Sequence, residues 1–190
     1  MSKKFNSLVF IAPLILILYL CIGFVPNWEA VDKIAPQWLI MSGLNLLSFI
    51  YFINKRKLLG NIFTLNLKSK LTISYIAFIL WAIGSLFYSI NPTEVLVNLA
   101  RQINVFLMYF SMVILTYGLK NKLLFIPGLI SIILFIEVYS VLIEALEMVN
   151  ATGRINGSQL KGVTANRNIT AFSIAIKTPF VLYLLEKNKK

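Results

Sequence analysis

Leu123-Leu-Phe-Ile-Pro-Gly-Leu-Ile-Ser-Ile-Ile-Leu-Phe-Ile-Glu137 carries no charge until its last residue. Taken alone, such a run reads either as the core of a soluble domain or as part of a membrane span. Its surroundings decide between the two. Charge-free runs recur at 5 to 28, 34 to 54, 71 to 93 and 102 to 119, close to the ~20 apolar residues a crossing helix needs. Of the 190 residues, 58% are hydrophobic and 13% charged, and mean hydropathy is +0.81, whereas about 25% of an ordinary globular domain is charged. A chain of this composition has too little polar surface to cover its core in water. Its solvent is lipid.

The run around residue 123 becomes a full span if its helix continues past Glu137 to about 146, and the run at 102 if its helix starts before Arg101. A sixth candidate, 169 to 185, is interrupted only by Lys177. The expected fold is therefore an all-α polytopic transmembrane bundle of about six spans. Five helices, about 8–25, 36–54, 71–90, 95–118 and 123–146, make up residues 1–146. An outer loop and the sixth helix make up 147–190. The first run follows Met-Ser-Lys-Lys and resembles a secretory signal, but it is too long and lacks a small-x-small site. We expect it to stay attached as an anchor, with Trp28 at the interface.

Net charge is +11, which in a soluble protein would suggest a nucleic-acid face. Here the basic residues gather in short clusters between apolar runs, which is how membrane proteins set their orientation. With a cytoplasmic N-terminus, Lys and Arg divide 12 inside to 5 outside, leaving Lys177 within a span. Both termini are then cytoplasmic and no nucleic-acid partner is implied. The outer connections are 26 to 35, 91 to 94 and 147 to 165. The inner segment 55 to 70 is either a solvated loop or a short basic amphipathic piece on the membrane surface.

The chain has no histidine and one cysteine, Cys21. A disulfide within the chain and every Ser/His or Cys/His relay are thereby excluded. Nucleotide, calcium and zinc patterns are absent as well, so no cofactor or metal is expected. Chemistry would fall to Arg, Lys, Glu or Asn, and three stripes at helical spacing present them. Glu94, Asn98, Arg101 and Gln102 share one face of the fourth helix; they form either a polar cuff at the interface or an anion contact. Glu137, Ser140, Glu144 and Glu147 form a second stripe. Glu137 lies ~20 Å from the inner edge, where an unpaired carboxylate costs several kcal/mol. The third stripe is Asn166, Thr170, Ser173 and Lys177, whose ammonium lies ~16 Å from the same edge. The matched depths predict an intramembrane ion pair of Glu137 with Lys177, serving either as a structural bridge or as part of a substrate or proton path.

The outer loop contains Gly153-Arg-Ile-Asn-Gly157 and then Gly162-Val-Thr-Ala-Asn-Arg-Asn-Ile-Thr-Ala171. Arg154, Lys161 and Arg167 stand there among asparagines and glycines that let backbone amides approach an anion. Asn166 falls where the last helix begins. That position suits, first, a simple helix cap and, as the alternative, an anion site at a helix start. Asn-x-Ser/Thr triplets at Asn150, Asn156 and Asn168 matter only in a eukaryotic secretory pathway.

At this loop the sequence resembles the O-antigen ligase and polysaccharide polymerase family of bacterial envelopes. The residues that match are Gly162, Asn166, Arg167, Asn168 and Ala171, with Pro179 further along the helix. Ser89-Ile-Asn-Pro-Thr-Glu94 and the amphipathic helix after it are similar to the family's upstream segment. The resemblance implies glycan transfer from an undecaprenyl-diphosphate carrier at the periplasmic face of the inner membrane. It also implies that Arg154, Arg167, Asn166, Asn168 and Arg101 hold the diphosphate. In the family the proposed base is a histidine in a later outer loop. On that comparison this chain is an amino-terminal portion, inactive alone, with no catalytic residue of its own. The rival classes are a transporter or channel fragment built on the Glu137/Lys177 pair, and a non-catalytic envelope scaffold.

Overall fold

The computed structural model describes residues 3–26, 28–32, 34–117, 119, 121–163 and 166–189, except for the side chains of residues 3–10 and Leu58. Lys33, Lys120 and Lys190 of the charge count lie outside the described residues, as do the side chains of Lys3 and Lys4. The fold is all-helical, with no strand among the described residues. In chain order the helices are α1 (Lys3–Leu20), α2 (Ala35–Asn54), α3 (Arg56–Leu67), α4 (Lys70–Gly84), α5 (Pro92–Tyr117), α6 (Lys122–Thr152) and α7 (Arg167–Asn188). Five of them, α2, α4 with its 3-10 extension to Phe87, α5, α6 and α7, are long and apolar enough to cross a membrane. The apolar part of α1 among the described residues is the shorter stretch Ile11–Leu20.

Local chemistry accounts for where these helices start and stop. Pro36 stands in the first turn of α2, where its missing N–H costs nothing. The Ser69 hydroxyl accepts the Thr72 N–H at 3.2 Å and so caps α4. Pro92 opens α5, and the Asn91 side chain accepts the Glu94 N–H at 3.3 Å. At the other end of α6, Gly153 takes the left-handed conformation at φ 71° and closes the helix.

One segment favours one of two readings drawn from sequence, and another differs from its expectation. The stretch 55 to 70 is helical, since α3 occupies most of it, which agrees with a short amphipathic piece and not with a solvated loop. Its Phe63 ring packs edge-on against Phe110 of α5 at 4.9 Å. Helix α6 continues through Glu147-Met-Val-Asn-Ala-Thr152 instead of stopping near 146, since nothing in that stretch breaks a helix before Gly153. The connection to α7 is correspondingly shorter than 147 to 165. With 31 residues, α6 is ~46 Å long, well beyond the ~30 Å of a bilayer's hydrocarbon, so one end stands past it.

The chain forms two compact units, one made mainly of residues 1–22 and 26–119 and the other mainly of 120–190. In the first, α5 packs against each of α1, α2, α3 and α4. Leu16 of α1 and Ile114 and Leu115 of α5 are almost fully enclosed there. Polar side chains cross-link the same core. The Tyr19 hydroxyl donates to Asn45 Oδ1 at 2.7 Å and lies 3.0 Å from the Ser48 hydroxyl. Asn45 Nδ2 donates to both the carbonyl and the side-chain oxygen of Asn104. A second set joins Asn66, Thr72 and Tyr109 across α3, α4 and α5. Between helices in lipid, where apolar contact brings no gain over contact with acyl chains, close packing and such bonds are the main adhesive.

The second unit pairs α6 with α7. Both units leave large apolar side chains outward, among them Trp81 and Phe78 of α4, Phe135 of α6 and Phe172 of α7. A water-soluble monomer rarely exposes apolar surface on this scale, whereas lipid-facing helices do.

Candidate functional site

Glu137 of α6 and Lys177 of α7 meet at 2.5 Å between Oε1 and Nζ. Both are largely enclosed, with side-chain exposures of 8% and 22%. Ser173, one turn before Lys177, bridges them: its hydroxyl accepts from Nζ at 2.6 Å and lies 3.1 Å from Oε1 and 3.2 Å from Oε2 as donor. The two helical stripes therefore face one another, and their charged groups satisfy each other through a hydroxyl. Such a closed arrangement meets the physical demand on charges held out of water, which is to be paired and hydrogen-bonded.

Toward the Gly153 end, α6 supplies Glu144. One of its carboxylate oxygens accepts the backbone N–H groups of Lys161 and Gly162, at 2.8 and 2.9 Å. The sequence suggests that amides of this glycine-rich loop face an external anion, but the chain's own carboxylate holds these two. From sequence Glu144 is a member of the second stripe with no such contact assigned. Its spacing of seven from Glu137, on the same stripe, is the signal that points to α7 and the loop before it. The Thr170 hydroxyl donates to the Lys161 carbonyl at 2.6 Å and fixes the loop to α7. Gly162 is required at this point, because its φ is +57° and a Cβ would lie 2.9 Å from Thr170 Cγ2.

Asn166 is the N-cap of α7. Its Oδ1 accepts the N–H groups of Asn168 and Ile169 at 3.0 and 3.4 Å, so the side chain is occupied by capping. Asn168, Arg154 and Arg167 are exposed. Among the described residues, neither of these two guanidinium groups has an ion-pair or hydrogen-bond partner. Arg154 follows the cap of α6 and Arg167 opens α7, so they stand at the two ends of the loop.

Arg101 belongs to the other unit and is engaged there. Its guanidinium pairs with Asp32 at 2.8 Å and lies 5.8 Å from the centre of the Trp38 ring, within cation–π range. Asp32 does not stand out in the sequence, although it is the chain's one aspartate. Gln102 turns to α4, accepting from the Tyr75 hydroxyl at 3.3 Å, and Glu94 is bound by Asn91 at 3.4 Å. The expected cuff is thus divided among three neighbours. Beside the Asp32–Arg101 pair opens a cleft of about 1060 Å³ lined by α2, α3, α4 and α5. Among the described residues no group of three His, Cys, Asp or Glu side chains is placed to hold a metal ion.

Fold and outward surface together define an all-helical protein of the membrane class. Set beside known proteins, the chain has no significant match to a family model, a curated protein or a solved structure.

Proposed function

We propose that this chain is the amino-terminal membrane part of a glycan-transferring enzyme of the O-antigen ligase or polymerase kind, lying in a bacterial inner membrane. In this reading α1, α2, α4, α5, α6 and α7 are six spans with both termini cytoplasmic, following the 12 to 5 division of Lys and Arg. The loop between α6 and α7 then faces the periplasm, where an undecaprenyl-diphosphate carrier presents its glycan. One observation carries the proposal: Arg154 and Arg167 stand without a partner among the described residues, at the two ends of a loop otherwise tied down by Glu144, Thr170 and Asn166.

Guanidinium suits a diphosphate because its planar fork gives bidentate, charge-assisted bonds. Arg167 sits in the first turn of α7, where the helix dipole adds positive potential. With the amides of Lys161, Gly162, Asn168 and Ile169 already bonded internally, the guanidinium groups are among the exposed side-chain donors left for an anion, together with the Lys161 ammonium and the Asn168 amide. The role proposed for this chain is carrier binding, and the proton transfers of the reaction belong to residues it does not contain.

The test is retention of undecaprenyl diphosphate, against undecaprenol, by the protein in lipid nanodiscs. Removing one charge-assisted bond from such a site weakens affinity roughly tenfold or more. Arg154→Ala and Arg167→Ala should each lower diphosphate retention by that order and leave undecaprenol unchanged, and Arg167→Lys should recover little. Unaltered retention in both alanine variants returns these residues to ordinary loop charge.

A further inference from the structure

We infer that the cleft in the first unit is a binding site for a zwitterionic glycerophospholipid with a primary-amine headgroup. Its charged and amide side chains follow one order along both α2 and α5, within a lining that is otherwise mostly apolar, with Val97 and Ala100 beside Arg101 and Ser111 beside Phe110. At one end are Asp32 and Arg101, then Ser42, Asn45 and Asn104, then the aromatic rings represented by Phe52 and Phe110. Arg101 and Phe110 are nine positions apart on α5, which spreads the gradient over ~14 Å. Charge, then amide, then hydrocarbon is also the order of a phospholipid from headgroup through glycerol to acyl chain. A cavity of about 1060 Å³ is at the large end of small-molecule sites.

The charged end selects the headgroup. A carboxylate and a guanidinium side by side, with no net charge, complement a headgroup that carries phosphate and ammonium together. Arg101 provides a bidentate fork for the phosphate, and Asp32 accepts from the ammonium. A lipid such as phosphatidylglycerol would gain the first contact but offer Asp32 a neutral hydroxyl in place of the ammonium, leaving that carboxylate without a counter-charge once Arg101 has turned to the phosphate. The pair is half-exposed, with side chains 35% and 45% accessible, and exposed pairs of this kind are weakly held. Opening it to admit a headgroup therefore costs little. The amide band below is satisfied internally, since Asn104 Nδ2 donates to the Ser42 hydroxyl at 2.7 Å. It marks the depth of the polar region without competing for the headgroup.

The experiment is native mass spectrometry of the full chain, delipidated in mild detergent and titrated with phosphatidylethanolamine or phosphatidylglycerol of identical acyl chains. Phosphatidylethanolamine should be retained about tenfold more strongly, the scale of one charge-assisted bond. Asp32→Asn should abolish or reverse that preference. Leu107→Trp, which fills the cleft between the amide band and the rings, should lower retention of both lipids. Should Asp32→Asn fold poorly, the exchange of Asp32→Arg with Arg101→Asp keeps both charges and should keep the preference. Equal retention of the two lipids, a preference unmoved by Asp32→Asn, or undecaprenyl diphosphate displacing phosphatidylethanolamine from this cleft overturns the inference.

Discussion

Glu137→Leu and Lys177→Leu should each sharply lower the amount of folded protein recovered in detergent, and the double substitution should restore most of it. The expectation follows from the closed arrangement of Lys177, Ser173 and Glu137. Removing either charge leaves the other enclosed without its counter-ion, at about 3 to 5 kcal/mol, whereas replacing both with apolar groups is often neutral. In a single variant Ser173 still offers one hydroxyl, which cannot neutralise a charge. The measurement is the fraction of monodisperse protein surviving a heating series, compared across wild type, both singles and the double. If the double loses as much as the two singles combined, the ion pair is not what holds α6 to α7 here. A pathway role for the pair adds a second expectation, the loss of transport in the double variant despite its recovered fold.

Gly162→Ala is the second large effect. Two independent costs fall on this one methyl group. At φ +57° an L-residue pays about 1 to 2 kcal/mol of backbone strain. The new Cβ would also meet Thr170 Cγ2 at 2.9 Å and Val141 Cγ2 at 3.0 Å, and overpacking of this kind costs about 1 to 3 kcal/mol. Gly153 separates the two terms, because its φ is +71° but nothing lies within 4 Å of its Cβ position. Gly153→Ala should therefore show the conformational term alone. Thr170→Ser removes the offending methyl and keeps the hydroxyl that binds the Lys161 carbonyl, so adding it to Gly162→Ala should recover part of the loss. Thermal stability of wild type and the three variants in detergent is the measurement. Gly162→Ala proving no worse than Gly153→Ala would remove the steric part of this account.

The five helices long and apolar enough to cross a membrane are legible in the sequence, because charge-free runs of the right length have few alternatives in a chain this apolar; the first run, expected as a helix over about 8–25, gives only the shorter apolar stretch Ile11–Leu20 among the described residues. Their ends are less so. Asn150-Ala-Thr152 borders the glycine-rich loop yet continues α6, since Ala favours a helix, Asn and Thr cost it only about half a kcal/mol each, and only Gly153 enforces a stop. Helix α3, between basic clusters, is one of two readings the sequence leaves open, although Leu59, Ile62, Phe63 and Asn66 follow the i, i+3, i+4, i+7 spacing of a packed face. The meeting of Glu137 and Lys177 follows from depth alone, because charges inside a bilayer have few ways to be tolerated. The role of Asp32 does not, since its partner Arg101 is 69 positions away and an interfacial carboxylate needs no partner at all. Tyr19, Asn45 and Asn104 escape a reading of the sequence for a similar reason. Uncharged polar residues are common enough in spans that only the fold shows which of them meet.

Orientation bears most directly on the proposed function, because carrier binding by Arg154 and Arg167 requires their loop to open on the periplasmic face. Single cysteines placed at exposed Gln159 and exposed Lys57, in a chain carrying Cys21→Ser, report the two sides. These positions leave alone the Ser69 cap of α4 and the turn in which Asn156 holds Ser158. Intact cells are treated with a membrane-impermeant thiol reagent, and the same cells are treated again after permeabilisation. The account predicts that the cysteine at 159 is modified at once and that at 57 only after permeabilisation. Modification of the cysteine at 57 in intact cells, with 159 protected until the membrane is opened, would contradict it.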